Sequence, residues 1–215
     1  YLFEVAARAD ASLNFPVEGR WGFFPGAGLG WIVSEEAFFE KMKSTMSFFK
    51  LKASIGTTGK NETIGSFAYL NTFSLTENPV VVIGGLPVAA LYTSAPGNPG
   101  LVWEKHTMAN FGFEAEFKGG KFGIDFDYFY KEAHNILNSV AALYPASVGH
   151  YFFSTVNDGI VANRGVDLQL RHRNQIGDFR YGLTGNFNWA RNKILKITEN
   201  QNIPEWQNRT GRSVR

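Results

Sequence analysis

Four carboxylates stand where their types and spacing could do chemistry. Glu114 and Glu116 are two residues apart, Asp125 and Asp127 are two apart, and Gly119-Gly120 lies between the pairs. Glycoside hydrolysis needs two carboxyl groups flanking the bond to be cut, one as acid and one as base or nucleophile. Period-two spacing on either side of a Gly-Gly turn puts all four on one face of two adjoining strands. The residues between them, Phe113, Ala115, Phe117, Ile124, Phe126, Tyr128 and Tyr130, form an apolar face behind. Alternation on a hydrated wall accounts for the carboxylates without any reaction, so no enzyme activity is expected.

Other chemical signals are weaker still. His106, His134, His150 and His172 lack metal-ligand spacing, and the chain has no cysteine, so neither a metal centre nor a cofactor is expected. GAGLG (26–30) resembles a phosphate loop superficially, but no Lys-Ser/Thr follows it and no βαβ unit surrounds it. Its small residues instead leave room beside a strand. The net charge of +2, without a basic cluster, argues against nucleic acid.

The elements that position these residues alternate at period two. Seven long strands are predicted at 2–10, about 21–32, 47–57, 103–118, 121–132, 164–173 and 179–193. SEEAFFEKMKS (34–44) reads as a short helix with Ser34 as its N-cap. The links 34–44, 119–120 and 174–178 are assigned to one end of the sheet. The links 11–20, 58–101 and 133–163, assigned to the other end, are read as the long ones, and 58–101 has room for a further hairpin. Trp31, Trp103, Tyr128, Tyr130 and Trp189 fall on the apolar parity near strand ends.

Long two-faced strands with short turns at one end and long loops at the other describe an antiparallel transmembrane β-barrel. Its aromatic ends would meet lipid headgroups. Charged residues make up 19%, below the roughly 25% usual for globular chains, which suits a sheet with one lipid-facing side. The longest apolar run, 79–92, is broken by Gly84, Gly85 and Pro87, so no transmembrane helix is expected. Two other readings share the pattern: a structural or adhesive outer-membrane barrel that binds surfaces through its loops, and a soluble all-β domain.

Six blocks in fixed order carry a resemblance: RWGFFPGAGLGWIVSEEAFFE (20–40), LKASIGTTGKNETIG (51–65), NPGLVWE (98–104), FGIDFDYFYKEAHNIL (122–137), NDGIVANRGVDLQL (157–170) and FNWARNKILKI (187–197). Together they resemble the barrel of the SusC/RagA family of TonB-linked outer-membrane transporters. The resemblance implies a bacterial outer-membrane location and a barrel of about 22 strands closed around a plug. It also implies import of an oligosaccharide or peptide, driven through TonB and handed over by a SusD-like surface lipoprotein. Residues 1–215 would supply about a third of that barrel. The chain opens directly on a strand pattern, so plug, TonB-contacting segment and final strands are expected outside it.

Within this frame Arg8, Asp10, Glu114, Glu116, Asp125, Asp127, Asp167, Arg171 and Arg180 are candidates to line the lumen or hold the plug. Tyr144, Tyr151, Phe152 and Phe153, in a long loop, are candidates to touch ligand or partner.

Overall fold

The computed structural model describes every residue except 62–64, 76–80, 94–95, 141–142, 144–146, 148–154, 201–202 and 215. The chain begins with β1 (Leu2–Ala11), β2 (Trp21–Ile32) and β3 (Met46–Lys60). Two nested short hairpins follow, β4 (Phe73–Leu75) with β7 (Leu91–Thr93) and β5 (Val81–Ile83) with β6 (Leu86–Val88). These occupy the link where a further hairpin was predicted. Then come β8 (Glu104–Phe117), β9 (Phe122–Ser139), β10 (Thr155–Ile176) and β11 (Phe179–Lys196). The seven long strands form one sheet in the order β1-β2-β3-β8-β9-β10-β11, each antiparallel to its neighbours in sequence order.

Two adjacent rungs show how the sheet separates its faces. Lys50, Glu114, Asp125, Gln169 and Asn186 stand opposite one another across five strands. One residue away, Leu51, Phe113, Phe126, Leu168 and Phe187 do the same. Because side chains alternate, the first rung builds a polar face and the second an apolar one. Apart from Phe38 and Phe39, which cover Trp31 and Phe49, the apolar face is largely uncovered by the described residues: Phe3 is 73% exposed and Leu183 65%. Each such side chain gains about 1.5–3 kcal/mol on leaving water, so this face requires an apolar phase around it. No helix among the described residues is long and apolar enough to cross a membrane.

The hairpin between β8 and β9 is tight. Phe117 pairs with Phe122, and Gly119 and Gly120 take φ of 66° and 85°, a left-handed region that glycine enters without a side-chain clash. Just past it, His172 stacks on Phe122 at 4.4 Å and meets Tyr181 edge-on at 5.5 Å. Its Nδ1 lies 3.1 Å from the Lys121 carbonyl, to which it can only donate, and its Nε2 lies 3.1 Å from the Tyr181 hydroxyl. These contacts hold the ring within an aromatic belt at the turn end. Trp31, Tyr128, Tyr130 and Trp189 lie on the apolar parity as predicted.

Four expectations need correction. Residues 34–44 form no α-helix. They make two 3-10 turns, Val33–Glu35 and Ala37–Met42, interrupted by extended Glu36. Ser34 caps neither turn; its hydroxyl is buried without a partner, and Phe39 stacks on Phe49 instead. Glu36 is turned outward to accept the Trp31 indole N–H at 2.8 Å. That bond and another from the Tyr1 hydroxyl hold its carboxyl below the usual range.

Second, Trp103 leaves the apolar face. It precedes β8, is 7% exposed, and packs with Phe15, Phe24 and Leu101 over the polar face, with its indole N–H on the Arg20 carbonyl. Third, β9 and β10 run on to Ser139 and back from Thr155, well past the predicted ends. Bulges around Asn157 and Gly159, and the positive φ of Asn135, break the alternation there without ending the pairing. Fourth, link length does not strictly alternate: 12–20 is shorter than 33–45.

Candidate functional site

The polar face carries the candidate site, and its centre is a cation rather than the carboxylates. Lys52 Nζ lies 2.8 Å from Asp127 Oδ2, 2.9 Å from Asp125 Oδ1 and 3.5 Å from Glu114 Oε1. Lys50 lies 3.5 Å from the same Glu114 oxygen. An ammonium has three protons and no acceptor, so three carboxylates saturate it. The cluster spans β3, β8 and β9, and its groups are each about a quarter to a third exposed. One rung toward the turn, Arg171 approaches Glu116 at 4.0 Å and lies against Gly123.

The register makes this possible. Lys52 and Asp127 both stand opposite Gly112 on the strand between them. A Cβ at Gly112 would run into the Asp127 carboxylate and the Phe126 carbonyl, so the missing side chain is what opens the path across β8. Asp167 pairs with Asp127 in register and is held from its other side by the Asn188 amide. Beside it, Gln169 donates to Asn186 at 2.9 Å.

Of the predicted polar residues, the sheet gathers Glu114, Asp125 and Asp127 around Lys52, with Asp167 and the Glu116–Arg171 pair beside them. Arg8 and Asp10 pair with each other at 2.6 Å, farther along the face toward the long-loop end. There they border a concavity of about 840 Å³ whose floor is Gly26, Gly28 and Gly56 and whose far wall includes Trp103. Arg180 stays apart near the turn, donating to Gln175 at 2.9 Å. Tyr144, Tyr151, Phe152 and Phe153 lie outside the described residues. Lys50 and Lys52 were not singled out beforehand; the available signal was two polar-parity lysines on a neighbouring strand.

Above the cluster, asparagines fix a chain segment over the polar face. Asn157 donates to the Val102 carbonyl and accepts the Val102 N–H, both at 3.2 Å, as a paired strand would. Its amide also reaches the Asn135 carbonyl at 2.8 Å, and Asn98 reaches the Thr155 carbonyl at 2.6 Å. The histidines are occupied locally: His106 lies 2.6 Å from Glu104 and His134 3.1 Å from Glu132. His150 lies outside the described residues. The arrangement sets acidic and basic groups against one another along the polar face, so most of its charges are paired in place.

Comparison with known proteins agrees with this architecture. A family model described as "TonB dependent receptor-like, beta-barrel" matches residues 1–214. The chain is 31% identical over 207 residues to the TonB-dependent receptor SusC of Bacteroides thetaiotaomicron, covering 92% of this chain and 20% of that protein. A TonB-dependent receptor of Formosa agariphila is 30% identical, with 93% and 18% covered. The chain thus spans about a fifth of the length of these curated relatives. Among solved structures, the RagAB peptide importer in its closed-closed state superposes with a TM-score of 0.77 at 26% identity, covering 94% of this chain and 22% of the other. In its open-open state the same importer gives 0.77 at 28% identity, with 91% and 20% covered.

Proposed function

The chain belongs to the TonB-dependent receptor-like β-barrel family of the bacterial outer membrane, and from that premise we propose that residues 1–215 are barrel wall in an importer of oligosaccharide or peptide. The protein would draw its ligand from a SusD-like surface lipoprotein and spend energy delivered through TonB. The apolar face is then the lipid surface, and the polar face lines the lumen. One observation carries the reading: two continuous faces on seven strands, one of exposed aromatic and aliphatic side chains and one of charges and amides, need two different solvents. A soluble domain would have buried the first face. The likeness to a peptide importer favours peptide as the first substrate class to try.

In this reading the Lys52 cluster and the Arg171–Glu116 pair are contacts for the plug or for the passing ligand. The chemistry is displacement of ion pairs and amide hydrogen bonds, with no covalent step. The test is growth of a strain lacking the receptor on defined peptides or oligosaccharides as sole nutrient. Loss of growth on one class, restored by the intact receptor and abolished without TonB, is the expected result. Undiminished growth on every member of both classes would remove the import reading.

A further inference from the structure

Arg164 on β10 and Arg191 on β11 stand directly opposite each other, and Tyr130 on β9 stands opposite Arg164 on its other side. All three share the apolar parity with Tyr128, Val166 and Trp189, which form the neighbouring rung toward the turns. Two like charges in register destabilise a sheet, and a cation on a lipid-facing surface is costly wherever hydrocarbon surrounds it. Both arginines are exposed. Among the described residues neither has a hydrogen-bond or ion-pair acceptor. The nearest carboxylate along the same face, Glu132, is occupied by the Tyr130 hydroxyl at 3.0 Å and by His134 at 3.1 Å.

Height decides what can answer them. Arg164 is twelve residues from the turn end of β10 and Arg191 twelve from that of β11. At about 3.3 Å per residue and a tilt near 40°, that is roughly 30 Å from the turns, the far edge of the hydrocarbon. Long loops lie at this end, so the leaflet is the outer one. Lys193, one rung beyond on the same parity, adds a third cation. Guanidinium forks match phosphate oxygens two at a time.

We propose that Arg164 and Arg191 together grip a phosphate of an outer-leaflet lipid headgroup, fixing a lipid against the barrel wall. Trp189 and Tyr128, on the neighbouring rung, flank the site at the headgroup–acyl boundary. This assignment rests on the outer-membrane location and not on import, so an inactive transporter would still hold the lipid.

The experiment uses the whole receptor, extracted from outer membranes in a non-ionic detergent, as wild type and as the Arg164→Gln/Arg191→Gln double variant. Phosphorylated lipid that co-elutes is measured by mass spectrometry. Thermal stability is then followed with micelles of a phosphorylated glycolipid, the same lipid after phosphatase, and inorganic phosphate alone. The expected outcome is retention by wild type, a roughly tenfold or greater loss in the double glutamine variant, and only partial recovery in Arg164→Lys/Arg191→Lys, which restores the charge without the fork. Equal retention by the glutamine variant, or equal stabilisation by the dephosphorylated lipid, overturns the proposal. So does a full effect from inorganic phosphate alone, which would make this a free-anion site. If the glutamine variant does not fold, the phosphatase comparison on wild type still decides.

Discussion

Lys52 on β3 and Asp127 on β9 meet at 2.8 Å although a whole strand, β8, runs between them. Strands two apart are separated by about 9.5 Å, a span that a lysine and an aspartate cover only when the position between them is empty. Gly112 is that position, opposite both. A glycine in a strand interior weakens the strand by itself; here it lets one ammonium serve carboxylates on two strands. The wall gains a cross-strand tie that backbone pairing does not provide.

Replacing Lys52 by Met should therefore cost more than a surface lysine would. Three carboxylates would lose their shared cation, and the expected destabilisation is about 1–2 kcal/mol, reduced from a buried pair's value because water reaches the cluster. Asp127→Asn alone should cost less, and the double variant should fall short of the sum, since both changes remove one contact. The temperature at which the detergent-solubilised receptor loses its compact gel mobility reads all three. Strict additivity would mean that the 2.8 Å contact carries no energy.

Gly112→Ala tests the path instead of the charges. Its added methyl would press on Asp127 and the Phe126 carbonyl, so a loss of about 1–3 kcal/mol is expected. Gly28→Ala is the matched control, because a Cβ there would meet the Glu4 and Ser54 Cβ atoms only at 4.0 Å. Equal effects at the two glycines would count against the open-path account.

Why the faces were legible and the cluster was not follows from what spacing encodes. Within a strand, period two fixes which residues share a face, so Glu114, Asp125, Asp167 and Arg180 could be assigned to one wall directly. Which residue on β3 faces which on β8 depends on register, and nothing inside MSFFKLKASIG states it. Lys52 could be paired with Asp127 only after the sheet was seen. Alternation also fails beyond the membrane band, where neither face has to be apolar, which is why the outer parts of β9 and β10 read as loop. Trp103 misled for a related reason: it has the right parity by count, but it precedes the strand and folds inward onto Phe15 and Phe24.

Low pH should loosen the segment after β11. Burial pushes the Glu199 carboxyl up, but hydrogen bonds from the Arg209 N–H and from the Thr210 hydroxyl and N–H outweigh it, and the net direction is down. A carboxylate lowered on folding contributes stability that is full above its ordinary value of 4.5 and is lost as pH falls through the lowered one. Hydrogen exchange at Arg209 and Thr210 should therefore gain protection-factor loss only in the acid range, after correction for intrinsic rates. Glu199→Gln should show weak protection at neutral pH and little further change on acidification. A wild-type segment equally protected at both ends of the range would contradict this.

Adjacent residues on β10 offer the sharpest test of which face meets lipid. Leu170 lies on the apolar face opposite Ile124 and Gly185, and is 50% exposed; Gln169 lies on the polar face opposite Asp125 and Asn186. Leu170 is six residues from the turn end of β10, roughly 15 Å and hence near the bilayer midplane. An arginine there has no interface within easy reach, and Leu170→Arg should cost about 2–4 kcal/mol in reversible folding into vesicles. Gln169→Arg gives up one amide hydrogen bond to Asn186 but keeps its charge in water beside Asp125, so about 1 kcal/mol or less is expected. If the two costs were exchanged, the lipid and lumen faces would have to be exchanged with them, and the Lys52 cluster could not belong to a pore.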